Sequence, residues 1–284
     1  MIRHLIPAFL AGSTLLASAA PAELRETARK TVDAHKDSIV WLSVLAKTSM
    51  GADGDVPDQL KAALAGQDKE EKNETLGTVI NADGLIVAAL GGMDKSSVVD
   101  GKTVNTPMGA IKLKATSEIK EIKVITADGS EVPADLVLKD EDLGLAFVKV
   151  RMDSDEAKGV EFPAIDLADS RKGELLDDCI ALGRMDESLN REASVQTSEI
   201  SAITTRPRTF YRVGGSSVGT PVYLGDGKLL GISVVRSPKG GSTDGQIQLS
   251  PVVLPASDVA KIAEQAKDAQ PAPAAEKEEE AAEE

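Results

Sequence analysis

Gly214-Gly215-Ser216-Ser217-Val218-Gly219-Thr220-Pro221-Val222-Tyr223-Leu224-Gly225-Asp226-Gly227-Lys228-Leu229-Leu230-Gly231-Ile232 is the stretch that decides the fold of this chain. Its glycines and serines favour a loop over regular structure. Pro221 to Leu224 then reads as a short apolar strand, Asp226-Gly227 supplies the positive φ of a tight turn, and Leu229 to Ile232 returns as a second strand. The same grammar recurs at Thr78 to Leu90 around Asp83-Gly84, and at Ile122 to Thr126 before Asp128-Gly129. Tight Asp-Gly turns between β-branched runs predict an all-β chain. Ser38–Leu45, Ala134–Asp140, Gly144–Val150, Phe162–Leu167, Asp178–Leu182, Ala193–Ile203 and Val252–Leu254 add further strands. Short strands at this spacing build a barrel or a sandwich.

Between the strands, the polar stretch from Gly51 to Glu74 is expected to be an exposed insertion loop, with a short helix over Asp58–Ala65. Met152 to Glu161 marks the boundary between two halves. Ala22 to Lys36 has helix-forming composition, and Val259, Ile262, Ala263 and Ala266 fall at helical spacing in a C-terminal helix. Beyond it, the glutamate-rich run to Glu284 cannot bury a core and is expected to be a disordered acidic tail.

At the other end, a basic start (Met1 to His4) precedes the apolar run Leu5 to Ala20 and two small-x-small sites, the signature of a cleaved signal peptide. No other run is long enough to span a bilayer, so the mature chain is expected to be exported without a membrane span. Its single cysteine, Cys179, lies in an apolar run and is expected to be buried; an exported chain without a disulfide suits a bacterial envelope, periplasmic or extracellular. A net charge of −14 and 2% aromatic residues argue against nucleic acid as a partner.

Metal and cofactor chemistry find no support. The histidines are His4, which leaves with the signal peptide, and His35, expected on the surface of a helix. Paired histidines or cysteines for zinc are missing, Asp53-Gly54-Asp55 is too short for a calcium loop, and no cofactor is expected.

The glycine-rich loop with its hairpin resembles the nucleophile loop of trypsin-like serine peptidases of the HtrA/Deg group, in which G-N-S-G-G-P precedes a short strand. Gly77 to Val87 resembles that group's G-S-G-F-I-I-x-x-D-G-x-I-L, and Leu143 to Val150 its T-D-L-A-V-L-K-I. Gly173 to Gly183, Ser198 to Ala202 and Val253 to Val259 continue the likeness in the same order, from about Thr75 to Ala266. The resemblance implies two six-stranded antiparallel β-barrels of the chymotrypsin type. With the features above it predicts a signal peptide (1–22), an N-terminal helix (23–36), a first barrel (37–151), a second barrel with its helix (152–267) and the tail (268–284). No PDZ domain is expected.

Aligned on these motifs, the histidine, aspartate and serine of the catalytic triad fall on Gly91, Gly144 and Val218. The resemblance therefore implies a catalytically inactive homologue that binds a peptide or protein in the cell envelope. Main-chain N–H groups over Ser216, Ser217, Val218 and Gly219 would stand where the family has its oxyanion hole. Two other readings remain open. One is an active peptidase with non-standard residues, for which Ser217 as nucleophile and Lys95 as base are the candidates. The other is a structural domain whose old site is filled by Val218.

Overall fold

In the computed structural model, which describes residues 21–53, 69–106, 109–236 and 249–269, the strand Leu85–Ala89 shows how two cores are built from one chain. All five of its side chains are buried. Ile86 and Ala88 point to one apolar cluster, Leu85 and Val87 to another. The two-residue period of a strand delivers successive side chains to opposite faces, so a strand covered on both faces reads as a continuous apolar run. Asp178–Arg184 repeats the pattern: Ile180 and Leu182 join the cluster of Leu85, whereas Cys179 and Ala181 enter a third.

The strands are β1 (Ile39–Asp53), β2 (Lys69–Asn81), β3 (Leu85–Ala89), β4 (Thr103–Thr106), β5 (Gly109–Ile125), β6 (Glu131–Asp140) and β7 (Leu145–Val150), then β8 (Asp178–Arg184), β9 (Ala193–Thr204), β10 (Phe210–Val213), β11 (Pro221–Leu224), β12 (Leu229–Arg236) and β13 (Ser250–Pro255). The first barrel runs β1-β2-β3-β7-β6-β5 and closes by pairing β1 with β5, while β4 adds to β5 outside the closed ring. The second barrel is closed in the order β10-β13-β12-β11-β8-β9. Both are antiparallel and six-stranded, as the resemblance implied. One apolar cluster fills each barrel, and the third, centred on Leu85, Val87, Phe147, Ile180, Leu182 and Leu254, joins them.

Among the described residues the helices are α1 (Ala22–His35), the single turns α2 (Leu90–Met93) and α3 (Ser96–Val99), and α4 (Ala256–Asp268). Helix α1 lies on β8 and β9 of the second barrel, with Leu24 and Ala28 buried. Helix α4 lies on β12 and β13 and also reaches β6 of the first barrel.

Four sequence readings need correction. The first strand does not stop near Leu45, nor is Gly51–Glu74 a loop throughout. β1 continues to Asp53, β2 starts at Lys69, and the ladder pairs Thr48 with Lys69 and Asp53 with Lys112. Main-chain pairing carries charged residues into this outer sheet, since side chains such as Lys112 and Lys114 remain in solvent. Residues 58–65, read as a helix, lie outside the described residues. Phe162 to Leu167 is not a strand: Phe162 is buried against the first barrel's core, Pro163 has no N–H for a ladder, and Asp166 turns the chain by accepting from Ala168 N–H at 2.8 Å. His35 is half-buried rather than on the surface. It stacks on Tyr223 with ring centroids 5.0 Å apart; burial lowers its pKa, against an opposing pull from Asp169.

Cys179 is fully buried, and loss of solvation pushes its thiol up to about 12, so it is a core residue and not a nucleophile. Among the described residues no helix is long and apolar enough to cross a membrane.

Candidate functional site

The two barrels meet where the chain leaves β3, enters β7 and turns into β11. Leu90 N–H donates to Gly144 O at 2.8 Å, which fastens α2 to the turn before β7. Gly144 has φ +71, the left-handed region that glycine enters without cost. A side chain there would be strained, and its Cβ would stand 3.3 Å from Val235 O. Gly91 and Gly144 line one cavity of about 450 Å³ together with Asp94, Asp142, Val235 and Arg236. Two of the three positions that align with the triad are thus brought together, and neither carries a side chain.

Val218 does not line that cavity. It is half-buried in the loop before β11, where the backbone is held on both sides. Gly219 N–H donates to Ser233 O at 2.7 Å, and Ser233 N–H donates to Thr220 O at 2.9 Å. The Thr220 hydroxyl donates to Leu182 O at 2.6 Å, and Ser216 Oγ lies 3.1 Å from Ser233 Oγ. Gly219 sits at the seam of the barrels. Its φ is +87, Thr78 Oγ1 donates to its carbonyl at 2.8 Å, and a Cβ would fall 2.1 Å from Leu76 O.

Of the four residues read as resembling an oxyanion hole, Gly219 therefore has its N–H engaged. The N–H groups of Ser216, Ser217 and Val218 donate to no main-chain carbonyl among the described residues.

Strand β12 contributes what the sequence did not disclose. Because Ser233 turns its N–H and C=O toward Thr220 and Gly219, Val235, two residues on, presents its own polar groups along the same edge. There β11 has ended and the cavity begins. Arg236 closes the rim: Nη1 donates to Asp142 O at 2.5 Å, and the guanidinium lies 5.3 Å from the Phe210 ring centroid.

Two titratable groups near the cavity are already committed, while Glu141 and Asp142 line it with no side-chain partner among the described residues. Asp94, 5% exposed, receives Ser96 N–H at 3.0 Å and Lys139 Nζ at 2.6 Å, and Ser96 Oγ lies 2.5 Å from it. These contacts hold the turn before α3 and pair the carboxylate with a cation. Lys95, weighed as a possible base, pairs with Glu71 at 3.0 Å and does not line the cavity. Among the described residues Ser217 donates no side-chain hydrogen bond to a base; its carbonyl lies 2.8 Å from Thr220 Oγ1. Among the described residues no group of three or more His, Cys, Asp or Glu converges to hold a metal ion.

A family model described as a trypsin-like peptidase domain matches residues 75–232. No curated protein matches the chain significantly. Among solved structures, the MamO protease domain from Magnetospirillum magneticum, in its apo form, is 14% identical; the alignment covers 81% of this chain and 97% of that one, with a TM-score of 0.47. The family match spans more than half of the residues, and the double barrel agrees with it: the chain belongs to the trypsin-like peptidase domain family.

Proposed function

We propose that this protein is a non-catalytic member of the trypsin-like peptidase family that binds an extended peptide or protein segment in the cell envelope. The observation that carries the reading is the open β12 edge at Val235, which borders a cavity of about 450 Å³ lined by Gly91 and Gly144. An extended segment would add to that edge by main-chain hydrogen bonds, with side chains falling alternately toward the cavity and away from it. Catalysis has no comparable support. Acyl transfer needs a nucleophile, a base within reach and a group that orients the base. Gly91 and Gly144 supply no such groups, and Lys95 and Lys139 are tied up in ion pairs.

Chemistry is tested first. The purified mature protein is expected neither to label with a serine-directed fluorophosphonate nor to cleave unfolded casein. In a triad enzyme, loss of the serine or histidine alone removes about a million-fold in turnover. Stoichiometric labelling at Ser216 or Ser217 would establish the active alternative instead.

Binding is tested separately. A library of extended peptides titrated against the wild type should include saturable ligands with Kd on the order of micromolar, about 8 kcal/mol. Glu141→Trp, in the cavity lining, should weaken those ligands by about tenfold or more by crowding the groove. Equal affinities for both proteins, or no binding to either, leave the structural-domain reading.

A further inference from the structure

The hairpin joining β9 to β10 holds a concentration of unspent positive charge. Arg206, Arg208 and Arg212 are exposed and make no side-chain hydrogen bond or ion pair among the described residues. The other arginines of the two barrels are partnered. Arg151 meets Asp135, Arg171 meets Asp177 and Asp226, and Arg191 meets Glu74. Arg184 meets three carbonyls, and Arg236 meets Asp142 O and Phe210.

The register explains the clustering. Phe210 pairs with Thr204 and Arg212 with Ala202, so Phe210 and Arg212 share the outer face while Tyr211 and Val213 point into the barrel. In a chain with 46 acidic and 32 basic side chains, three neighbouring unpaired arginines run against the overall field. They focus a local positive potential that favours an anionic partner. Their planar forks suit carboxylates, which they can hold bidentately.

The sequence carries a matching anion. Between Glu276 and Glu284 stand Glu276, Glu278, Glu279, Glu280, Glu283 and Glu284, with Lys277 as the only cation. Helix α4 ends at Asp268. From residue 270 to Glu284 the chain can extend about 50 Å at ~3.3 Å per residue. A folded unit of about 220 residues has a radius of gyration of roughly 17 Å, so reach is no obstacle. We propose that the glutamate segment 276–284 docks on the Arg206–Arg208–Arg212 hairpin of the same molecule, beside the Phe210–Arg236 rim of the cavity.

The test uses the full mature chain. A nitroxide is attached at Ala282→Cys; Cys179 is fully buried and escapes labelling. Amide resonances of residues 206 and 208–212 should lose at least half their intensity relative to the reduced label, while those of Arg25 and Arg29 on α1 should not. The loss should vanish in Arg206→Gln/Arg208→Gln/Arg212→Gln, whose spectrum elsewhere reports that it is folded. It should also fade between about 50 and about 300 mM salt, as a screened interaction must. Uniform broadening, no broadening, or broadening unchanged in the triple variant overturns the proposal. If labelled protein broadens residues 206 and 208–212 only of an added, unlabelled isotope-enriched copy, the tail docks on a second molecule and the intramolecular form is wrong.

Discussion

Gly219→Ala is expected to lower the melting temperature by roughly 5–20 °C, with a loss of about 2–5 kcal/mol at the usual 2–4 °C per kcal/mol for a chain of this size. Two costs combine. An alanine at φ +87 enters the left-handed region at about 1–2 kcal/mol. Its methyl would also lie 2.1 Å from Leu76 O and 3.0 Å from Leu76 C, backbone atoms of β2 that cannot rotate away. The seam must open, and forced overpacking costs typically 1–3 kcal/mol. Opening it also strains the bonds Thr78 Oγ1 to Gly219 O and Gly219 N–H to Ser233 O. Thermal unfolding followed by circular dichroism reads the effect. A shift below about 3 °C would mean that the barrels do not meet at Gly219 as described.

Arg184→Met should cost about 3–5 kcal/mol, the range for breaking a buried charged interaction by removing one member. Arg184 is 7% exposed, and burial holds its pKa below the usual arginine value. Its Nε donates to Ile39 O at 2.9 Å, Nη1 to Arg191 O at 2.8 Å and Nη2 to Lys36 O at 2.5 Å. One guanidinium thereby fixes the start of β1, the end of α1 and the β8–β9 hairpin. Methionine fills much of the volume but strands three carbonyls, each left at about 1–3 kcal/mol if water cannot reach it. Asp37 is 3.8 Å away and mostly exposed, so Asp37→Asn should change stability by less than about 1 kcal/mol. Denaturant melts of both variants separate the carbonyl anchor from the ion pair; equal losses would show that the charge pairing dominates.

Much of the fold could be read from the chain because turn chemistry and apolar runs agree. Asp83-Gly84, Asp128-Gly129 and Asp226-Gly227 each place a glycine at positive φ between short strands. The outer sheet escaped notice for a physical reason. Lys69 to Glu74 and Lys112 to Glu118 are charged, and their strand character comes from long-range pairing with β1, which local composition does not encode. β10 was missed because Phe210 to Val213 is only one short run. Within the site, alignment located Gly91 and Gly144, which line one cavity, and the loop before β11. Absent side chains cannot announce what replaces them. The Val235 edge, the Arg236 rim and the Asp94–Lys139 pair arise from contacts between residues far apart in sequence.

Helix α1 precedes the first barrel in sequence yet lies on the second, and α4 follows the second barrel yet touches β6 of the first. Helix α1 is therefore stored on the opposite half, and α4, packed on its own barrel, also bridges to the other, like a strap buckled across a seam. Neither half can come apart without stripping apolar surface such as Leu24 and Ala28 from the other. The linker between the barrels accordingly does not divide the protein into independent modules, and the smallest unit that folds cooperatively runs from α1 to α4.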